Sequence, residues 1–182
     1  MSVAKLALED GSVYTGRAFG AHAEMVGEVV FNTSMTGYQE VLTDPSYKGR
    51  IVTMTYPLIG NYGTTSADSE SKAVQVSGFV VRELTRVPSN FRSHADLDSY
   101  LKAAGVVGIE GIDTRALVRR LRITGAMPGV LSSVDHDNAS LVAKAKAHGS
   151  MAGKDYVKEV VPDGSFTWDE GFDSLSRHVI PA

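Results

Sequence analysis

Cysteine does not occur anywhere in the 182 residues, and its absence removes disulfides, thiolate zinc sites and a thiol nucleophile together. No apolar run approaches the roughly 18 to 20 residues of a membrane span, and the N-terminus MSVAKLALEDG carries no signal-peptide core. The expectation is a cytoplasmic protein. Net charge is also scarce: the formal value of -3 gives no field that would gather nucleic acid or an anionic membrane. The five histidines, His22, His94, His136, His148 and His178, form no HxH or HxxxH pair, so nothing points to a metal site. No G-x-S-x-G elbow or pair of poised carboxylates is recognisable, and no catalytic residue is assigned.

What remains is 43% hydrophobic and 21% charged residues, the balance of an ordinary folded domain. The length suits one domain with a sizeable core. Val3 to Leu8 and Val13 to Ala18 read as strands around the Asp10-Gly11 turn. Val26 to Phe31 is a third strand, apolar enough for burial on both faces. Thr36 or Ser34 is expected to cap a short helix running through Tyr38 and Glu40 to Leu42, which Asp44-Pro45 stops. Ile51 to Tyr56 and Val74 to Leu84 read as extended, and the Gly-, Ser- and Thr-rich stretch 58–71 as a loop.

Ser93 with Asp96 resembles a capping box ahead of a helix over 95–104 closed by Gly105. A second helix from Asp113 or Thr114 to Gly125 would bury Leu117, Val118 and Leu121, with short strands at Val106 to Ile109 and Ala126 to Leu131. Asn138 to Ala147 reads as a third helix, ended near Gly149. Over residues 151–182 the pattern weakens to isolated apolar residues among Gly, Asp and Pro, which look like a linker or a tail lying on something else.

Two constellations stand out. "VVFNTSMTGYQEVLTDPSYKG", residues 29–49, crowds Asn32, Thr33, Ser34, Thr36, Thr43 and Ser46 around one short helix. Capping and turn chemistry absorbs most of them, but Ser46 follows the Pro and should sit on a loop where its hydroxyl can face a polar ligand. "TRALVRRLR", residues 114–122, sets Arg115, Arg119 and Arg122 at i, i+4 and i+7 on one helix face. That face is either simply solvated or docks on an acidic partner surface, a task for which Arg is favoured over Lys. "GNYG", residues 60–63, lacks the Walker lysine and the dinucleotide spacing and reads as a turn.

The run "EVVFNTSMTGYQEVLTDPSYKGRIVTMTYPLIGNYG" at 28–63 resembles the N-terminal domain of the small subunit of carbamoyl-phosphate synthetase. "LEDGSVYTGRAFG" at 8–20, "SNFRSHADLDSYL" at 89–101 and "GIDTRALVRRLRITGAMPG" at 111–129 match in the same order and spacing. The resemblance implies a single α/β domain of the swivelling β/β/α type over residues 1–150. It implies further that 151–182 connect to a class I glutamine amidotransferase domain.

In that family the amidotransferase domain hydrolyses glutamine with a Cys, His and Glu triad and passes ammonia to a large subunit. There ATP and divalent metal drive carbamoyl phosphate synthesis for arginine and pyrimidine production. This sequence has no such triad, so the expectation is a chain inactive alone, without a cofactor of its own, whose partners are the large subunit and the amidotransferase domain. The serine of the family's D-P-S-Y motif contacts glutamine, and the matching residue here is Ser46. The Arg115, Arg119 and Arg122 face is the expected docking surface. A free-standing binding or regulatory module of the same fold is the alternative.

Overall fold

A computed structural model describes residues 2–149, 151, 153–162 and 164–167. In chain order its elements are β1 (Val3–Leu8), β2 (Val13–Gly20), β3 (Glu24–Asn32), α1 (Tyr38–Thr43), β4 (Arg50–Met54), β5 (Leu58–Ile59), β6 (Gly78–Val80) and β7 (Glu83–Leu84). There follow α2 (Leu97–Ala103), β8 (Val107–Glu110), α3 (Thr114–Thr124), β9 (Met127–Ser132), α4 (Asn138–His148) and α5 (Val157–Val160). Single 3-10 turns occupy Pro45–Tyr47 and Ser66–Asp68.

Seven strands close into a barrel in the order β1-β2-β8-β6-β4-β3-β9, with β9 pairing back onto β1. The run β8-β6-β4-β3 is parallel, and the remaining pairings are antiparallel. Strand alternation sorts the side chains. On β4, Ile51 points into the barrel with Leu6, Leu8, Val29, Val80 and Leu131, while Val52 and Met54 point out to a second core. That outer core is filled by Leu42 of α1, Leu97 and Leu101 of α2, and Phe79. On the other side, Leu141 and Ala145 of α4 cover Ala7 and Val130.

The expected strand at Val26 to Phe31 is covered on both faces, yet only Gly27 and Val29 in it are fully buried. Val74 to Leu84 is not one extended run: β6 and β7 are separated at Val81-Arg82, and β7 leaves the barrel to pair with β5 inside the expected 58–71 loop. Leu117 and Leu121 of α3 enter the barrel core, each contributing roughly 1.5–3 kcal/mol by burial. Val118, expected beside them, is only half-buried and faces the arginines instead.

Helix ends show where local chemistry decides. Asp113 caps α3, accepting from the Ala116 amide at 2.9 Å, and Asp96 caps α2, accepting from the Ser99 amide at 2.8 Å. Ser93 takes no part in that cap and donates to the Ala95 carbonyl. For α1 neither Thr36 nor Ser34 is the cap. The N-cap is Gly37 at φ +77°, which offers no side chain.

Tyr62 supplies the missing acceptor from 25 residues downstream. Its hydroxyl takes the Gly37 amide at 2.7 Å and the Tyr38 amide at 3.2 Å. Its ring stacks on Tyr38 with centroids 4.2 Å apart, and burial pushes both phenols above their ordinary range. Tyr62→Phe keeps the stack and removes the acceptor. We expect a loss of about 1–2 kcal/mol, read as a lower urea midpoint with an unchanged slope.

At the end of β8, Glu110 is buried to 1% exposure. Its carboxylate is paired with Arg17 at 3.4 Å and with Arg86, and it accepts from the Leu84 amide at 3.0 Å. It thereby ties the small β5-β7 pair to the barrel wall.

Candidate functional site at the Ser46 loop and the arginine face

Ser46 sits in the 3-10 turn between α1 and β4 and is exposed. Three contacts fix the backbone around it. The Asp44 carboxylate accepts from the Ser46 amide at 2.8 Å, Arg50 Nη1 donates to the Ser46 carbonyl at 3.0 Å, and Asn32 Nδ2 donates to the Tyr47 hydroxyl at 3.0 Å. The Ser46 hydroxyl itself makes no hydrogen bond among the described residues. A held backbone carrying an uncommitted hydroxyl can give or accept one bond to a polar ligand, which positions it and performs no chemistry.

The other hydroxyls of the 29–49 stretch are structural or outward. Thr43 Oγ1 donates to the Gln39 carbonyl at 2.9 Å and accepts from the Glu70 amide at 2.9 Å. Asn32 Oδ1 accepts from the Ser34 amide at 2.7 Å. Thr33, Ser34 and Thr36 are exposed. Glu40 nearby has its carboxyl pushed up by burial, with Asp68 and Glu70 adding to the effect.

A contact no sequence pattern announced lies on the far side of this loop. Gly49 is buried at φ +74°, and the Tyr156 ring fills the space a Cβ would take there, at 2.7–2.9 Å. Glu159 reaches Lys48 at 3.5 Å. The residues leaving the barrel thus lie against the Ser46 loop. The remainder of the 151–182 expectation, from 168 onward and with it His178, lies outside the described residues.

Arg115, Arg119 and Arg122 do share a face of α3. With Thr55, Thr114 and Val118 they line an open cleft of about 330 Å³. Arg17, Arg50, Arg86, Arg92 and Arg120 are all in ion pairs. Among the described residues the three cleft arginines have no such partner, an arrangement that attracts a carboxylate-bearing surface. Exposed Ile123 borders a neighbouring depression shared by Arg119, Arg120 and Tyr14.

The two candidate regions are not brought together. Ser46 precedes β4 and Thr55 follows it, so the strand, about 16 Å long at its usual rise, separates them along the barrel. "GNYG" forms a turn closed by the Gly63 amide on the Gly60 carbonyl at 3.1 Å. Among the described residues no cluster of three or more His, Asp or Glu side chains could hold a metal, and no helix is long and apolar enough to cross a membrane.

Residues 6–131 match the family described as "Carbamoyl-phosphate synthase small chain, CPSase domain". The carbamoyl phosphate synthase small chain of Rhodopirellula baltica is 60% identical over 170 residues, covering 93% of this chain and 44% of that one. That of Syntrophotalea carbinolica is 60% identical over 172 residues, covering 94% and 46%. The Aquifex aeolicus small chain is 55% identical over 166 residues, covering 91% and 45%. This chain therefore spans less than half the length of these relatives.

Proposed function

The chain belongs to the carbamoyl-phosphate synthase small-chain family, and from that membership we propose that it is the N-terminal, subunit-docking domain of a glutamine-hydrolysing carbamoyl-phosphate synthase. The holoenzyme is the cytoplasmic ligase that makes carbamoyl phosphate from glutamine, bicarbonate and ATP for arginine and pyrimidine synthesis. Glutamine hydrolysis belongs to an amidotransferase domain, and ATP and divalent metal to a large subunit. The observation that carries this reading is the match of residues 6–131 to the CPSase domain of the small chain, beside 55–60% identity over 166–172 residues to the three small chains named above.

Residues 1–150 form the domain and 151–182 the connector in this reading. Support for the swivelling β/β/α type comes from the layering, with α1 and α2 on one side of the barrel wall and α4 on another. Ser46 is the glutamine contact of this chain, and the Arg115, Arg119 and Arg122 cleft is the large-subunit docking face. Their separation along β4 fits that division, since the chain leaves the barrel on the Ser46 side and leaves the arginine end open to another partner.

The direct test is association with a large subunit, followed by glutamine-dependent ATP turnover with and without a separately supplied amidotransferase domain. Binding, with turnover only when that domain is present, is the expected result. No binding to a cognate large subunit would favour a free-standing module of the same fold. In an assembled holoenzyme, Ser46→Ala is expected to raise the KM for glutamine on the order of tenfold, the worth of one hydrogen bond. Ammonia-dependent turnover should not change.

A further inference from the structure

We propose that Tyr156 and Glu159 are positioning residues for Ser46, so that the segment leaving the barrel is a strap holding the Ser46 loop in the geometry that receives glutamine. This rests on the reading of Ser46 as a glutamine contact. The backbone at Gly49 has two close neighbours. A Cβ on Gly27 of β3 would come within 2.6 Å of the Gly49 carbonyl oxygen, and the Tyr156 phenol lies 2.7–2.9 Å from where a Gly49 Cβ would stand. Only a glycine at residue 49 lets the ring come this close, and its φ of +74° suits glycine for the same position.

Ser46 lies three residues upstream, and its carbonyl is tied to Arg50, the residue after Gly49. A shift of the backbone at 49 is therefore passed to Ser46. The Arg50 backbone is held in β4, where its carbonyl accepts from the Ser77 amide at 2.8 Å, but its side chain holds the Ser46 carbonyl through Nη1 alone, its Nε being buried without a hydrogen bond and Glu28 standing 3.8 Å away. The Lys48 to Glu159 pair at 3.5 Å adds a second tie on the same side. Without Tyr156 the loop keeps its Asp44 and Arg50 bonds and stays folded, but it loses the wall that fixes its outer position. Small misplacements of a binding group are costly to a reaction that depends on orientation.

In this arrangement Tyr156 and Glu159 both touch the Ser46 loop, so the placement of their segment and the geometry of Ser46 are mechanically linked. In a holoenzyme whose small subunit carries this sequence, Tyr156→Ala is expected to raise the KM for glutamine on the order of tenfold. Ammonia-dependent turnover and assembly should stay as they were, and Tyr156→Phe, which keeps the ring, should stay near the unsubstituted enzyme. Amide exchange at Ser46, Tyr47 and Lys48 in this chain alone should be faster in Tyr156→Ala. An unchanged KM together with unchanged exchange overturns the proposal. Ser46→Ala measured alongside separates the two readings: if it is silent, the glutamine contact falls, and the positioning role falls with it even where exchange has quickened.

Discussion

Glu110→Ala should cost about 2–3 kcal/mol of stability, seen as a lower urea midpoint, although its ionic partners are half in water. Arg17 and Arg86 are 54% and 49% exposed, so losing the carboxylate leaves their charges hydrated and the electrostatic share small. The larger share comes from the Leu84 amide. Its 3.0 Å bond to Glu110 is buried, and truncation leaves that amide without its acceptor. Glu110→Gln divides the two contributions. It keeps an oxygen for the Leu84 amide and discards only the charge, so a loss of about 1 kcal/mol or less is expected. Equal losses for Ala and Gln would show that the ion pairs, and not the amide bond, hold β7 to the barrel.

Glu110 also illustrates what the order of residues hides. A carboxylate after Val107, Gly108 and Ile109 reads as the polar end of a strand, whereas its partners come from β2 and from beside β7. The elements legible beforehand were those decided locally. The β1-β2 hairpin follows from Asp10-Gly11, α3 from Asp113 and the spacing of Leu117 and Leu121, and α2 from the spacing of Leu97, Tyr100 and Leu101, although its cap is Asp96 and not the expected Ser93. Barrel closure was not legible, because the β2-β8 and β1-β9 pairings join residues 87 to 127 positions apart, from Gly20 with Val107 to Lys5 with Ser132, and loop-closing contacts leave no local period.

Caps divide along the same line. Asp113 and Asp96 lie next to the amides they receive, while Tyr62 reaches α1 from another loop and no motif over 34–43 announces it. Ser46 was legible as an uncommitted loop hydroxyl, and its assignment to glutamine came from the D-P-S-Y resemblance. The arginine face was legible from its helical spacing alone. Tyr156 was not, because it stands in a stretch without periodicity and its contact is with a glycine, which offers no side chain to pair with.

Reversing two charges on that face, Arg115→Glu with Arg119→Glu, is expected to weaken assembly with the large subunit by a factor on the order of 100 or more. Two attractions are lost and two repulsions are introduced against an acidic surface, and like-charge juxtaposition at an interface is the costlier half. The fold should tolerate the change. Both side chains are exposed, neither is in an ion pair among the described residues, and Leu117 and Leu121 on the opposite face keep α3 in the barrel core. A glutamate at position 115, near the start of α3, is also on the favourable side of the helix dipole. Unfolding should therefore need as much urea as before while association is lost.

Two further readouts distinguish docking by charge from mere proximity. Association of the unsubstituted chain should weaken as salt is raised, while the reversed chain starts weak and gains slightly as salt screens the repulsion. Single reversal at Arg122, which lines the same cleft further along the helix, should fall between the two. If the double reversal leaves assembly intact at low salt, the docking face lies elsewhere on the barrel, and the exposed apolar loop residues Val87 and Phe91, 79% and 89% accessible, become the next surface to alter. The proposed glutamine contact at Ser46 stands or falls independently of either outcome, because β4 stands between the two regions.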